Sequence, residues 1–165
     1  GQILDTEFEG RDGVTESEYM EMVERKTGSL LGASLRIGAL LGGADEGVAG
    51  RLGEFGTRLG VAFQIHDDVL DITQPSATLG KRQGSDVVAG KETLITLHAR
   101  QQGVDLDGDP AAVRERLERA GSIEYARERA RELVAAATEE RGPLPDPEVE
   151  ATLDELAEYL VRREY

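Results

Sequence analysis

The sequence predicts an all-α protein of about seven helices in a single region, residues 1–165, and three observations carry that expectation. Apolar residues recur at helical spacing along nearly the whole chain, and no segment alternates apolar and polar residues for long. Helix-starting signals recur as well: Thr15-Glu16-Ser17-Glu18 reads as a capping box, Asp45 stands before Glu46, and Asp146 precedes Pro147. The 165 residues suffice for one sizeable core and are too few for two ordinary domains.

Each element follows in order. Residues 1–9 read as the end of a helix, with Ile3, Leu4 and Phe8 apolar and Gly10 as the stop. Gly1 stands where a Met would open a complete chain and enters at once into a helical pattern, so sequence upstream is expected to be missing. Arg11 to Val14 is a turn. A long helix is expected from about Glu16 to Leu41, on the spacing of Met20, Val23, Leu30, Leu31, Leu35 and Ile37, with a bend near Gly28 and Gly32. Gly42-Gly43-Ala44 ends it. The next helix runs from about Glu46 to Thr73 and carries Gly53, Gly56 and Gly60 on one stripe. Each glycine costs a helix about 1 kcal/mol relative to Ala, so the stripe implies that another helix backbone comes close. Residues 74–91 are loop-like. Four further helices are expected at about 92–102, 110–120, 122–141 and 147–163.

Composition excludes several functions. Lys and Arg total 19 against 33 Asp and Glu, a net charge of -14, which disfavours nucleic-acid or anionic-membrane partners. The absence of Cys rules out disulfides, thiolate metal sites and cysteine nucleophiles. Apolar runs are broken well short of the ~20 residues that span a bilayer, and no basic-then-apolar leader opens the chain, so no integral membrane segment and a cytoplasmic location are expected. The 19 basic residues include three lysines only, Lys26, Lys81 and Lys91. Acid excess, Arg over Lys and few aromatics suit a halophilic, salt-adapted proteome or a GC-rich codon bias. Two apparent motifs fail. Counted from Asp105, a calcium loop would need Gly at position six and Glu at position twelve, where Pro110 and Arg116 stand. Gly84 to Lys91 has the wrong spacing for a phosphate loop, and Glu92 stands where a hydroxyl would bind magnesium.

The stretch that carries chemistry is Phe63-Gln64-Ile65-His66-Asp67-Asp68-Val69-Leu70-Asp71. Asp67 and Asp71 lie four apart and Asp68 and Asp71 three apart, so these carboxylates can share a helix face, with Gln64 one turn earlier. Like charges so placed call for a cation. Hard oxygen donors suit Mg²⁺, which keeps waters and is completed by substrate phosphate oxygens. A solvated acidic face is the alternative, weakened by the apolar residues between the acids. The scarce lysines lie near this helix or beside glycine-rich turns, as point charges suited to a diphosphate. His66 and His98 read as packing or surface residues.

Together these residues resemble the second half of the trans-isoprenyl diphosphate synthases, the polyprenyl synthetase family. The resemblance runs through Gly1-Gln2-Ile3-Leu4-Asp5, Tyr19, Lys26-Thr27, Gly60 to Asp71, Leu79 to Asp86, Gly90 to Leu94 and Leu156 to Arg163. It implies the C-terminal half of the isoprenoid synthase helical bundle. It also implies Mg²⁺-dependent condensation of an allylic diphosphate with isopentenyl diphosphate, and a homodimer. In that reading Asp67 ligates Mg²⁺ directly, and Asp68 and Asp71 ligate it or hold its water. Lys26, Lys81 and Lys91 grip the allylic diphosphate, Thr27 and Gln64 steady the allylic cation, and Gln2 and Asp5 line the cavity. Arg162 or Arg163 covers the second diphosphate. A geranylgeranyl or farnesyl product is implied if the composition is halophilic. The family's other aspartate-rich motif and its isopentenyl diphosphate site do not occur in these residues, so the chain is expected to be inactive alone. A non-catalytic small subunit of the same fold, or a related class I terpenoid synthase, are the alternatives. The lysines and aspartates all being present speaks against the first, and the K-T, G-K-R and G-K-E-T set against the second.

Overall fold

A computed structural model of the chain describes residues 1–8, 11, 13–74 and 90–162. Among these residues there are helices and connecting turns and no strands. The helices are α1 (Gln2–Phe8), α2 (Glu16–Val23), α3 (Ser29–Leu41), α4 (Glu46–Thr73), α5 (Leu94–Gln101), α6 (Pro110–Arg119), α7 (Ser122–Arg141) and α8 (Pro147–Arg162). A π-helical turn, Glu24–Gly28, joins α2 to α3 without a break. Counted with that turn as one continuous element, the described residues hold the seven expected helices. The expected stop at Gly10, most of the loop 75–89, Lys81 and Arg163 lie outside the described residues.

The capping chemistry sets the helix starts. The Thr15 hydroxyl accepts from the Glu18 N–H at 3.2 Å, and the Glu18 carboxylate accepts from the Thr15 N–H at 2.9 Å. Arg11 adds an ion pair to Glu18 at 2.6 Å. The Thr15 N–H, the Arg11 guanidinium and the Thr15 hydroxyl hold the Glu18 carboxyl down at about 2. Asp45 caps α4 through the Val48 N–H at 2.8 Å. Asp109 caps α6, with Pro110 at its first position. Helix α5 starts two residues later than expected. Thr93, not an earlier residue, is its N-cap, with Thr96 returning the bond, so Lys91 and Glu92 stay outside the helix. The bend foreseen near Gly28 takes the form of the π-turn.

Helix α4, with 28 residues and about 42 Å of length at 1.5 Å per residue, is the central post. It packs chiefly against α3 on one side and α7 on the other. The glycine stripe explains the first contact. A Cβ at Gly60 would lie 2.7 Å from Gly28 Cα, and one at Gly56 would lie 2.8 Å from the Leu31 carbonyl oxygen, so the two backbones touch where side chains would stand. On the other side, small buried residues of α7 (Ala126, Ala130 and Ala137) allow close approach. Buried Arg141 ties three helices: its guanidinium lies 5.1 Å from the Phe55 ring centroid of α4 and 3.0 Å from Asp154 Oδ1 of α8. The core continues through Tyr19, Leu59, Ile65, Val69, Leu94, Ile95 and Leu117. Among the described residues no helix is long and apolar enough to cross a membrane. The acidic turn rejected as a calcium loop is answered by Arg116, which pairs with Asp105 at 3.1 Å.

Candidate functional site

The site forms where the π-turn, α1 and the turn before α5 meet α4. The π-turn admits an extra residue per turn and carries Lys26 and Thr27, both half-buried; such turns recur at functional sites. From α1, Asp5 reaches Lys26, with Oδ2 2.5 Å from Nζ. From α4 come Gln64 and Asp68, and from the turn before α5 comes Lys91. Asp5, Lys26, Gln64, Asp68 and Lys91 line one cavity of about 30 Å³. Five of the expected site residues, far apart in the chain, are thereby brought together.

Within this cluster the hydrogen bonds form a chain. The Thr27 hydroxyl donates to Gln64 Oε1 at 3.0 Å, and Gln64 Nε2 donates to Asp68 Oδ1 at 3.1 Å. The Tyr19 hydroxyl donates to Asp68 Oδ2 at 2.7 Å. Burial and the Asp68 carboxylate push the Tyr19 phenol well above its ordinary value, so it stays a donor. Glu92, buried beside Lys91, pairs with Arg100 of α5. Sequence reasoning assigned no role to Tyr19, Glu92 or Arg100, because their partners lie on other elements or beyond the motif. The one available signal was a tyrosine at an inward helix position, which needs a polar partner when buried.

The three aspartates of α4 differ in setting. Asp67 is exposed, whereas Asp68 (8 % exposed) and Asp71 (2 %) are buried. Among the described residues no group of three or more His, Asp or Glu side chains converges on a common point. Mg²⁺ does not need such a group, since it takes one or two carboxylates and completes its shell with water and phosphate oxygens. Asp68 lines the cavity with Lys26 and Lys91, whereas Asp67 and Asp71 are not among its lining residues; an accessible Asp67 next to a hydrogen-bonded Asp68 is an oxygen donor set that fits that ion. Gln2 is exposed and donates to Asp5 at 3.4 Å. Arg162 stands apart from Lys26 and Lys91. It pairs with Glu158 at 3.0 Å and faces a larger cleft, of about 1010 Å³, that His66, Leu70, Arg114 and Arg127 also line. His98 stacks on Tyr125 at 4.3 Å and shares a hydrogen bond of 3.0 Å with Ser122, which is a packing role.

Comparison with known proteins gives a consistent result. A family model described as Polyprenyl synthetase matches residues 1–130. The geranylfarnesyl diphosphate synthase of Natronomonas pharaonis is 47% identical over 174 aligned residues, covering 100% of this chain and 51% of that protein. The geranylgeranyl diphosphate synthase of Methanosarcina mazei is 45% identical, covering 100% of this chain and 54% of that protein. Among solved structures, the geranylgeranyl pyrophosphate synthetase from the archaeon Geoglobus acetivorans superposes with a TM-score of 0.87 at 43% identity, over 98% of this chain and 52% of that one. The chain spans about half the length of the curated relatives it matches.

Proposed function

The chain belongs to the polyprenyl synthetase family, and from that premise we propose that it carries the diphosphate-binding and ionising part of a trans-prenyltransferase. In this reading the substrates are an allylic diphosphate and isopentenyl diphosphate, and the product is of the geranylgeranyl or geranylfarnesyl kind named for its relatives. The observation that carries the proposal is the convergence of Lys26 and Lys91 with Gln64 and Asp68 on one small cavity.

The residues divide the work. Lys26 and Lys91 hold diphosphate oxygens as point charges, and Lys81 joins them by family resemblance. The chemistry that a bound Mg²⁺ supplies is neutralisation of charge on the leaving diphosphate. Asp67, exposed on α4, would hold that ion directly, with Asp68 and Asp71 aligning its water shell. Thr27 and Gln64 turn oxygen dipoles toward the carbon that becomes cationic, and their mutual hydrogen bond fixes both. No protein nucleophile is needed, because positioning and preorganised charge lower the barrier. Gln2 and Asp5 orient Lys26, and Arg162 or Arg163 would cover the second diphosphate. A homodimer belongs to the same proposal, supported by the apolar outer face of α3, where Leu30 is 72% and Leu41 85% exposed.

The test is a chimera. This chain replaces the matching segment of the Natronomonas pharaonis synthase, and products from isopentenyl diphosphate, an allylic diphosphate and Mg²⁺ are read by mass spectrometry. Chain elongation is expected, and its loss on Asp67→Ala. A folded chimera that makes no prenyl diphosphate would overturn the proposal.

A further inference from the structure

We infer that Tyr19 is a positioning residue for this site: its hydroxyl anchors the Asp68 carboxylate of α4 to α2 and so fixes how that carboxylate is presented to the cavity that Lys91 also lines. The inference rests on the reading of α4 as a metal–diphosphate site. Tyr19 lies on α2 with 1% of its surface exposed, and its ring is part of the core. A phenylalanine would fill the same space. The hydroxyl is therefore not there for packing, and a buried hydroxyl without partners would cost stability.

Its partners explain it. The hydroxyl donates to Asp68 Oδ2 at 2.7 Å, and Tyr19 shares its cavity with Lys91, Glu92 and Thr93 of the turn before α5. Leu94 is the first residue of α5. Lys91 stands three residues before it and lines the same cavity as Asp68. Tyr19 thus ties α2, where its ring is packed, to α4 through Asp68, on a cavity wall that the lysine-bearing turn shares. The other Asp68 oxygen is taken by Gln64, which Thr27 orients in turn. Asp68 is held from both sides, and the bonds to Tyr19 and Gln64 set the direction its carboxylate faces.

Groups that orient metal-binding carboxylates change metal affinity by roughly tenfold or more when removed. The experiment measures Mn²⁺ binding to this chain by electron paramagnetic resonance in the presence of inorganic pyrophosphate. Tyr19→Phe should weaken Mn²⁺ binding roughly tenfold while the far-ultraviolet circular dichroism stays unchanged. In a double-mutant cycle with Asp68→Asn, the additional loss from Tyr19→Phe should fall below about twofold, because the carboxylate it acts through is gone. In the otherwise unsubstituted chain, 3-fluorotyrosine at position 19 should shift its fluorine resonance when Mg²⁺ and pyrophosphate are added together. An affinity for Tyr19→Phe within about twofold of the parent, a full-sized loss persisting on top of Asp68→Asn, or an unmoved fluorine signal would each overturn the inference alone. No Mn²⁺ binding by the unsubstituted chain would sink it together with the functional reading.

Discussion

Replacing Gly60 with alanine tests the link between the backbone contact and the site. The new methyl carbon would sit 2.7 Å from Gly28 Cα and 3.1 Å from both the Gly28 nitrogen and the Thr27 carbonyl oxygen. Carbon atoms settle at ~3.5–4.0 Å, so the π-turn must retreat from α4 by roughly 1 Å. Overpacking costs about 1–3 kcal/mol, and an obstacle made of backbone belongs at the upper end. Alanine returns about 1 kcal/mol of helix propensity. The net loss is then about 2 kcal/mol, or roughly 4–8 °C in Tm for a chain of this size. The retreat also stretches the 3.0 Å bond from Thr27 to Gln64 past the ~3.5 Å at which such a bond is lost. Gly50→Ala on the same helix is the control. Nothing lies within 4 Å of its added carbon, and it should gain about 0.5–1 kcal/mol. Thermal and urea melts followed by circular dichroism measure both. Equal or greater stability of Gly60→Ala relative to Gly50→Ala would refute the reasoning.

Two further predictions concern charge. Glu18 has its folded pKa lowered from 4.5 to about 2, so its contribution to stability is present above about 4.5 and is lost as pH falls toward 2. Glu18→Gln should flatten the stability–pH curve in that window, and a curve unchanged from the parent would contradict the capping account. Lys26→Met removes a charge-assisted bond of the kind worth about 1.5–3 kcal/mol, so pyrophosphate affinity in the presence of Mg²⁺ should fall by at least about tenfold in calorimetry. Retained affinity would remove Lys26 from the site.

Much of this architecture was legible in the residues because its signals are local. The capping box at Thr15, the cap at Asp45 and the Pro110 and Pro147 starts each depend on neighbours within a turn, and each appears where expected. The glycine stripe of α4 was also legible, since only a close backbone explains repeated glycines in a helix interior. What escaped were features set by tertiary partners. The π-turn depends on the fit of α2 and α3 against α4, and no composition signal separates it from a bend. The start of α5 was misjudged because Glu92 suits a helix, yet it is drawn into an ion pair with Arg100 while Thr93 takes the cap. For the site, residue types pointed to Lys26, Gln64 and Asp68, while the unequal burial of Asp67 and Asp71 and the clamp by Tyr19 needed the fold.

Calorimetric titration of the chain with inorganic pyrophosphate, with and without Mg²⁺, addresses the central claim most directly. Binding that requires Mg²⁺ and disappears on Asp67→Ala, with the thermal melt unchanged, is the predicted result. Pyrophosphate binding that is indifferent to both the metal and that carboxylate, or no binding at all, would contradict the account.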